Sequence, residues 1–206
     1  QAVSNAEMLH GLVLVGRPLD NTIKILTQRK IIAQSEERTR RLEGDEWKQL
    51  TDEAGTHWIR PMLEIAVESG MRQGEIHSLE WKHIDFDKSL IGIWRKDKRS
   101  VGGKKWHIIP MWRGVREALL RVSNETGKGS TVFCVKRSSS ISDKFARMCT
   151  KLDIVNLRFH DLRHEAITRM FEDRKMSVEQ VRLVSGHSSL DQLSRYVNLR
   201  PEDLVD

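Results

Sequence analysis

The chain has 206 residues, enough for one large domain with a sizeable core or for a domain plus a connecting segment. Hydrophobic residues make up 38% and charged residues 31%, a globular balance, and no apolar run approaches the roughly 18 residues needed to cross a bilayer. Lys and Arg outnumber Asp and Glu by 35 to 29, a net charge of +6 that favours a polyanionic partner such as nucleic acid, although many basic proteins only present solvated Lys and Arg faces.

Residues 1–38 hold an apolar patch, Leu12 to Val15, then Gly16, Pro18 and the polar run Glu36-Glu37-Arg38. They read as the tail of a preceding domain plus a linker, with the main domain at 39–206. Leu42, Trp47 and Leu50 predict a short amphipathic helix starting near Gly44-Asp45. A longer helix follows over 58–68, with Pro61 in its first turn and Ser69-Gly70 as its stop. Residues 73–79 read as a further helical turn or two, and 84–94 and 106–110 as β-strands around a turn at 100–103. That hairpin is basic: residues 95–105 carry Arg95, Lys96, Lys98, Arg99, Lys104 and Lys105 against the single acid Asp97. Helices are then predicted at 112–123, 140–151, 159–172, 177–184 and 190–198, with a short apolar segment at 131–135. The expected fold is mainly α with a small antiparallel β-sheet. Cys134 and Cys149 sit in apolar contexts without metal-ligand spacing, so both are expected to be buried free thiols in a reducing compartment.

Four segments carry residue types suited to one task. Ser69-Gly70-Met71-Arg72-Gln73-Gly74-Glu75 presents Arg72 between two helices, with Glu75 one turn further on. A guanidinium fork matches the non-bridging oxygens of a phosphate and a nearby carboxylate can hold it, although an Arg and a Glu three apart are most often an exposed helix pair. In Phe159-His160-Asp161-Leu162-Arg163-His164, helical spacing projects imidazole and guanidinium groups to one side. The pair His160 and His164 has zinc-binding spacing, but Asp rather than Glu follows the first His and no third ligand is evident, so no metal is expected. In Ser185-Gly186-His187-Ser188-Ser189 the glycine would cap a short helix and present His187 at a loop. Leu193-Ser194-Arg195-Tyr196-Val197 contains the only tyrosine of the chain; taken alone, such a residue is usually half-buried packing.

In order and spacing these pieces resemble the signature of the tyrosine site-specific recombinases of the phage-integrase family. The resemblance covers roughly residues 39–200: Gly-Met-Arg-x-Gly-Glu at 70–75, a basic hairpin ending in Pro110, His-Asp-Leu-Arg-His at 160–164, Gly-His-Ser at 186–188, and Tyr196 nine residues after His187. It implies an integrase-type catalytic domain, the fold of DNA breaking-rejoining enzymes. It further implies that Arg72 and Arg163 bind the scissile phosphodiester, with His160 and His187 as hydrogen-bond donors and Glu75 orienting the cluster. His160 is also expected to shuttle the tyrosine proton, while His164 packs or caps. Tyr196 would attack phosphorus, giving a 3′-phosphotyrosyl bond and a free 5′-hydroxyl. A hairpin lysine would protonate the leaving 5′-oxygen, with Lys96 favoured and Lys98 the alternative. Arg95, Arg99, Lys104 and Lys105 are expected to contact DNA.

The resemblance implies neither metal nor ATP, and as partners double-stranded DNA with specific attachment or recombination sites, further recombinase protomers on that DNA, and no membrane. The expected location is the bacterial cytoplasm. A helical core-binding domain precedes such catalytic domains, and residues 1–38 hold at most its remnant. Ten residues follow Tyr196, short for the exchanged tail by which family members assemble, so a monomer in isolation with weak DNA affinity is expected. Two rival readings are a strand transferase resembling type IB topoisomerases and a DNA-binding module with a decayed site.

Overall fold

A computed structural model describes residues 38, 40–96, 101–126, 129–187, 191–194 and 196. The elements lie in the unit Thr39–Asp206. The readings of residues 1–37, of Lys98 and Arg99, and of the helix beyond Ser194 apart from Tyr196 lie outside the described residues.

The order is α1 (Glu46–Ala54), α2 (Ile59–Ser69), α3 (Gln73–His77), β1 (Ile84–Asp85), β2 (Leu90–Lys96), β3 (Lys104–Pro110), α4 (Arg113–Thr126), α5 (Ser139–Lys151), α6 (Asp161–Glu172), α7 (Val178–Ser185) and α8 (Asp191–Ser194). This is the mainly helical fold with a small antiparallel sheet that the sequence predicts. Helix α2 lies at its centre, with Ile59, Met62, Leu63, Ile65 and Ala66 almost wholly buried and its sides packed on α4 and α6. Pro61 occupies its first turn, where a missing N–H costs no helical bond. Gly70 ends it in the left-handed region at φ 65° and returns its N–H to Ala66 O at 3.1 Å.

Three strands form the sheet, in the order β1-β2-β3, where the sequence predicts two. The strand expected over 84–94 is divided because the Asp85 carboxylate accepts from the Lys88 amide at 2.8 Å, closing a turn that leads to Ser89 at φ 54°. Along β2 the side chains alternate: Ile91 and Ile93 enter the core, and Arg95 follows them inward, only 6% exposed. Trp94 faces outward opposite Trp106, their ring centroids 5.0 Å apart. Gly92 is required beside them, since a Cβ there would meet the Trp106 ring at 2.0 Å. Residues 131–135 do not add a strand to this sheet; Thr131 makes an isolated bridge with Glu80. Cys149 is buried, which pushes its thiol up to about 11, whereas Cys134 is exposed, correcting the expectation of two buried thiols. Phe133 takes the inward place beside it.

Helix α6 bridges two apolar clusters. Leu162 belongs to the large core around α2; Ile167 and Met170 join Val181 and Val184 of α7 and Leu193 of α8, with Phe171 and Tyr196 packed against them. The first turn of α6 therefore emerges where the α2–α3 turn, the end of α7 and Tyr196 meet.

Candidate active site

Arg163 is the hub of this meeting point. It is 3% exposed, and its guanidinium donates through Nη1 to Gly70 O and through Nη2 to Ser185 O at 2.9 Å. Two separate glycine turns are thus clamped by one side chain. Nη2 also lies 3.4 Å from His187 Nε2, and the other ring nitrogen, Nδ1, shares a hydrogen bond with Ser185 Oγ at 2.7 Å. Burial first, then repulsion from Arg72, lowers the Arg163 pKa to about 9, which still leaves it charged at neutral pH.

Arg72 stands at the N-cap of α3 in extended conformation. Its own amide donates to Glu75 Oε2 at 3.0 Å and its Nη1 to Glu75 Oε1 at 2.9 Å, so one buried carboxylate fixes both backbone and guanidinium. The Arg72 side chain remains 42% exposed, free to meet a ligand, while Glu75 is only 6% exposed. The helix-pair reading of these two residues does not describe this arrangement.

His160 is the N-cap of α6 and is exposed, its ring centroid 5.2 Å from that of His164 in an edge-to-face contact. His164, expected only to pack or cap, shares a hydrogen bond through Nδ1 with the Tyr196 hydroxyl. The Tyr196 ring lies nearly parallel to His164 and to Phe171, at centroid distances of 6.0 and 6.5 Å. Among the described residues no group of three or more His, Cys, Asp or Glu has the arrangement to hold a metal ion.

The hairpin departs most from expectation. Cross-strand pairing puts Lys96 opposite Lys104, on the outer face with Trp94 and Trp106, and Arg95 opposite Lys105 on the face turned to the site. Lys96 is exposed and is not brought into the cluster; Lys104 and Lys105 are exposed as expected. Arg95 is corrected from a surface DNA contact to a buried group, because the alternation that buries Ile91 and Ile93 carries it inward. Its Nε lies 3.3 Å from Glu75 Oε1 and its Nη2 donates to Val184 O at 2.7 Å. Residue by residue, Arg72, Glu75, Arg163, His187 and Tyr196 converge with His160 at the rim. His164 and Arg95, expected to pack or cap and to contact DNA, instead meet the Tyr196 hydroxyl and the Glu75 and Val184 oxygens.

A helical domain with a small sheet thus gathers arginines, imidazoles and a tyrosine, groups whose chemistry suits holding a phosphate. The family model described as "Phage integrase family" matches residues 40–203, and the chain belongs to that family. A shufflon-specific DNA recombinase from Escherichia coli is 34% identical over 144 residues, 70% of this chain and 35% of that protein. The chain spans less than half the length of the curated relatives it matches. Among solved structures, the XerA recombinase aligns over 98% of this chain and 86% of its own, with a TM-score of 0.64 at 17% identity. A lambda integrase dimer bound to a COC′ core site aligns over 84% and 70%, with a TM-score of 0.62 at 20% identity, so the two share the fold.

Proposed function

We propose that the protein is a site-specific DNA recombinase that cuts and rejoins strands through Tyr196. The observation that carries this reading is the clamping of the Gly70 and Ser185 turns by Arg163, which gathers Arg72, Glu75 and His187 beside the only tyrosine. Arg72 and Arg163 offset the charge that grows on the phosphorane, and donors already fixed by Glu75 and by the two clamped turns do this with little reorganisation. Tyr196 attacks phosphorus and its proton passes to an imidazole. His164, already bonded to the hydroxyl, is nearer to that task than His160. The 5′-oxygen departs with a proton from a hairpin lysine. The phosphotyrosyl linkage conserves the energy of the phosphodiester, so a second 5′-hydroxyl can reverse the attack without ATP.

Double-stranded DNA is the proposed substrate, held by the exposed Lys104 and Lys105 and by Arg99, with further protomers on the same DNA and residues 1–38 as a linker. Among the described residues no helix is long and apolar enough to cross a membrane, and action on cytoplasmic DNA is proposed. Two differently labelled duplexes carrying the recombination site, incubated with the full protein in excess EDTA, should exchange strands. Relaxation of supercoils without exchange would favour the topoisomerase-like reading, binding without cleavage a decayed module, and cleavage restored only by added metal the His160/His164 metal site.

A further inference from the structure

Arg95 is buried, its Nη1 has no hydrogen-bond partner, and its Nε is met only by the Glu75 carboxylate, 3.3 Å away and off hydrogen-bonding geometry. Burial first, with repulsion from Arg72 and in spite of attraction to Glu75, lowers its pKa to about 10, so it is charged in this buried place at neutral pH. An incompletely bonded buried guanidinium opposes folding, and an apolar side chain of similar volume would fill the space more favourably. Its presence therefore points to a task other than stability.

Three consecutive carbonyls at the C-terminal end of α7 receive side-chain donors. The Leu183 carbonyl takes His107 Nε2 at 2.6 Å, Val184 takes Arg95 Nη2 at 2.7 Å, and Ser185 takes Arg163 Nη2 at 2.9 Å. The last turn of a helix leaves these carbonyls without helical partners and favours positive charge beside them. Of the three donors, Arg95 alone also reaches Glu75, approaching the same Oε1 that holds Arg72. The next residue of the turn is fitted to it: a Cβ on Gly186, which has φ 68°, would lie 1.8 Å from Arg95 Nη1.

We propose that Arg95 is a positioning residue of the active site, tying the end of β2 both to the Glu75–Arg72 pair and to the α7 turn that bears His187. The inference rests on the recombinase reading for its effect on cleavage, but the tie itself does not. Arg95 sets the spacing between two groups that must grip one phosphate, and it transmits any shift of the hairpin on DNA to both of them.

Arg95→Met and Arg95→Lys test this in the full chain with a nicked suicide duplex carrying the recombination site. Arg95→Met should melt no lower than the wild type yet cleave about 10- to 100-fold more slowly, with DNA affinity within about threefold, because misplaced groups lose rate rather than binding. Arg95→Lys should stay slow, since one ammonium keeps the charge but cannot span both partners. A lower melting temperature with an unchanged rate would make Arg95 structural, and affinity falling in step with rate would make it a DNA contact. Full activity in Arg95→Lys would reduce it to a charge; each of these three results overturns the proposal. If the wild type forms no phosphotyrosyl DNA, the recombinase reading fails separately. The tie is then read from amide hydrogen exchange at Gly186 and His187, which should quicken about tenfold or more in Arg95→Met. Unchanged exchange there overturns the inference.

Discussion

The two arginines of the proposed site meet opposite demands. Arg163 is enclosed and spends two donors on main-chain carbonyls, whereas Arg72 keeps its side chain 42% exposed behind a buried carboxylate. One arginine builds the site and the other is open to what enters it. The resemblance to the family signature singled out Arg72, Glu75, Arg163, His187 and Tyr196, since each segment taken alone reads as an ordinary surface or packing feature. Arg95 was legible in principle: Ile91, Ile93 and Arg95 share one strand parity, but its charge drew the eye to the surface. The pairing of Tyr196 with His164 was not legible, because it depends on how α6 and the residues after α8 pack. At this scale the lysine is the open role, since Lys96 faces outward and Lys105 lies on the site face. Replacing the proton donor should slow cleavage by roughly 10²- to 10⁴-fold. A substrate with sulfur as the bridging 5′ atom needs no proton, so it should restore the rate only in the variant lacking the donor. Measured for Lys96→Ala, Lys98→Ala and Lys105→Ala, rescue of one identifies it; rescue of none moves the role off the hairpin.

Among the elements, α6 links chemistry to stability. Its first turn carries Arg163 and His164, while two turns of its flank are held by Glu165, which accepts from Arg41 Nε at 3.1 Å and Arg169 Nε at 2.7 Å. Burial pushes the Glu165 carboxyl up, but these two hydrogen bonds outweigh it and hold the group below its usual value. A depressed carboxyl contributes stability above its unfolded pKa and loses it as pH falls through the folded one. Glu165→Gln should therefore lower stability at pH 7 by about 1–2 kcal/mol, and the gap should narrow once pH drops below the ordinary glutamate range. Urea titrations across pH check this; a gap independent of pH would mean the charge contributes nothing. Helix positions followed from apolar periodicity and from glycine stops, whereas the third strand did not. Its existence depends on a local turn closed by the Asp85 side chain within the polar stretch Asp85-Phe86-Asp87-Lys88-Ser89, which the reading of 84–94 as one strand ran through.

Across the whole molecule, the large core around α2 holds the α2–α3 turn, and the smaller cluster of α6, α7 and α8 holds Tyr196. The proposed nucleophile and the proposed phosphate grip thus stand on adjoining cores, joined through α6. The family signature marked the candidate residues, because its pieces fall at the junctions between elements, but it did not foretell the two cores. What it could not give was the face of each hairpin residue, which is fixed by pairing register. The central claim is that Tyr196 forms the covalent bond to DNA. The direct measurement is to trap the protein on a nicked suicide duplex, digest the adduct and locate the modified residue by mass spectrometry. The account predicts DNA on the peptide containing Tyr196 and no adduct in Tyr196→Phe, which should still bind the duplex within a few-fold. An adduct on another residue, or one that survives in Tyr196→Phe, would contradict it.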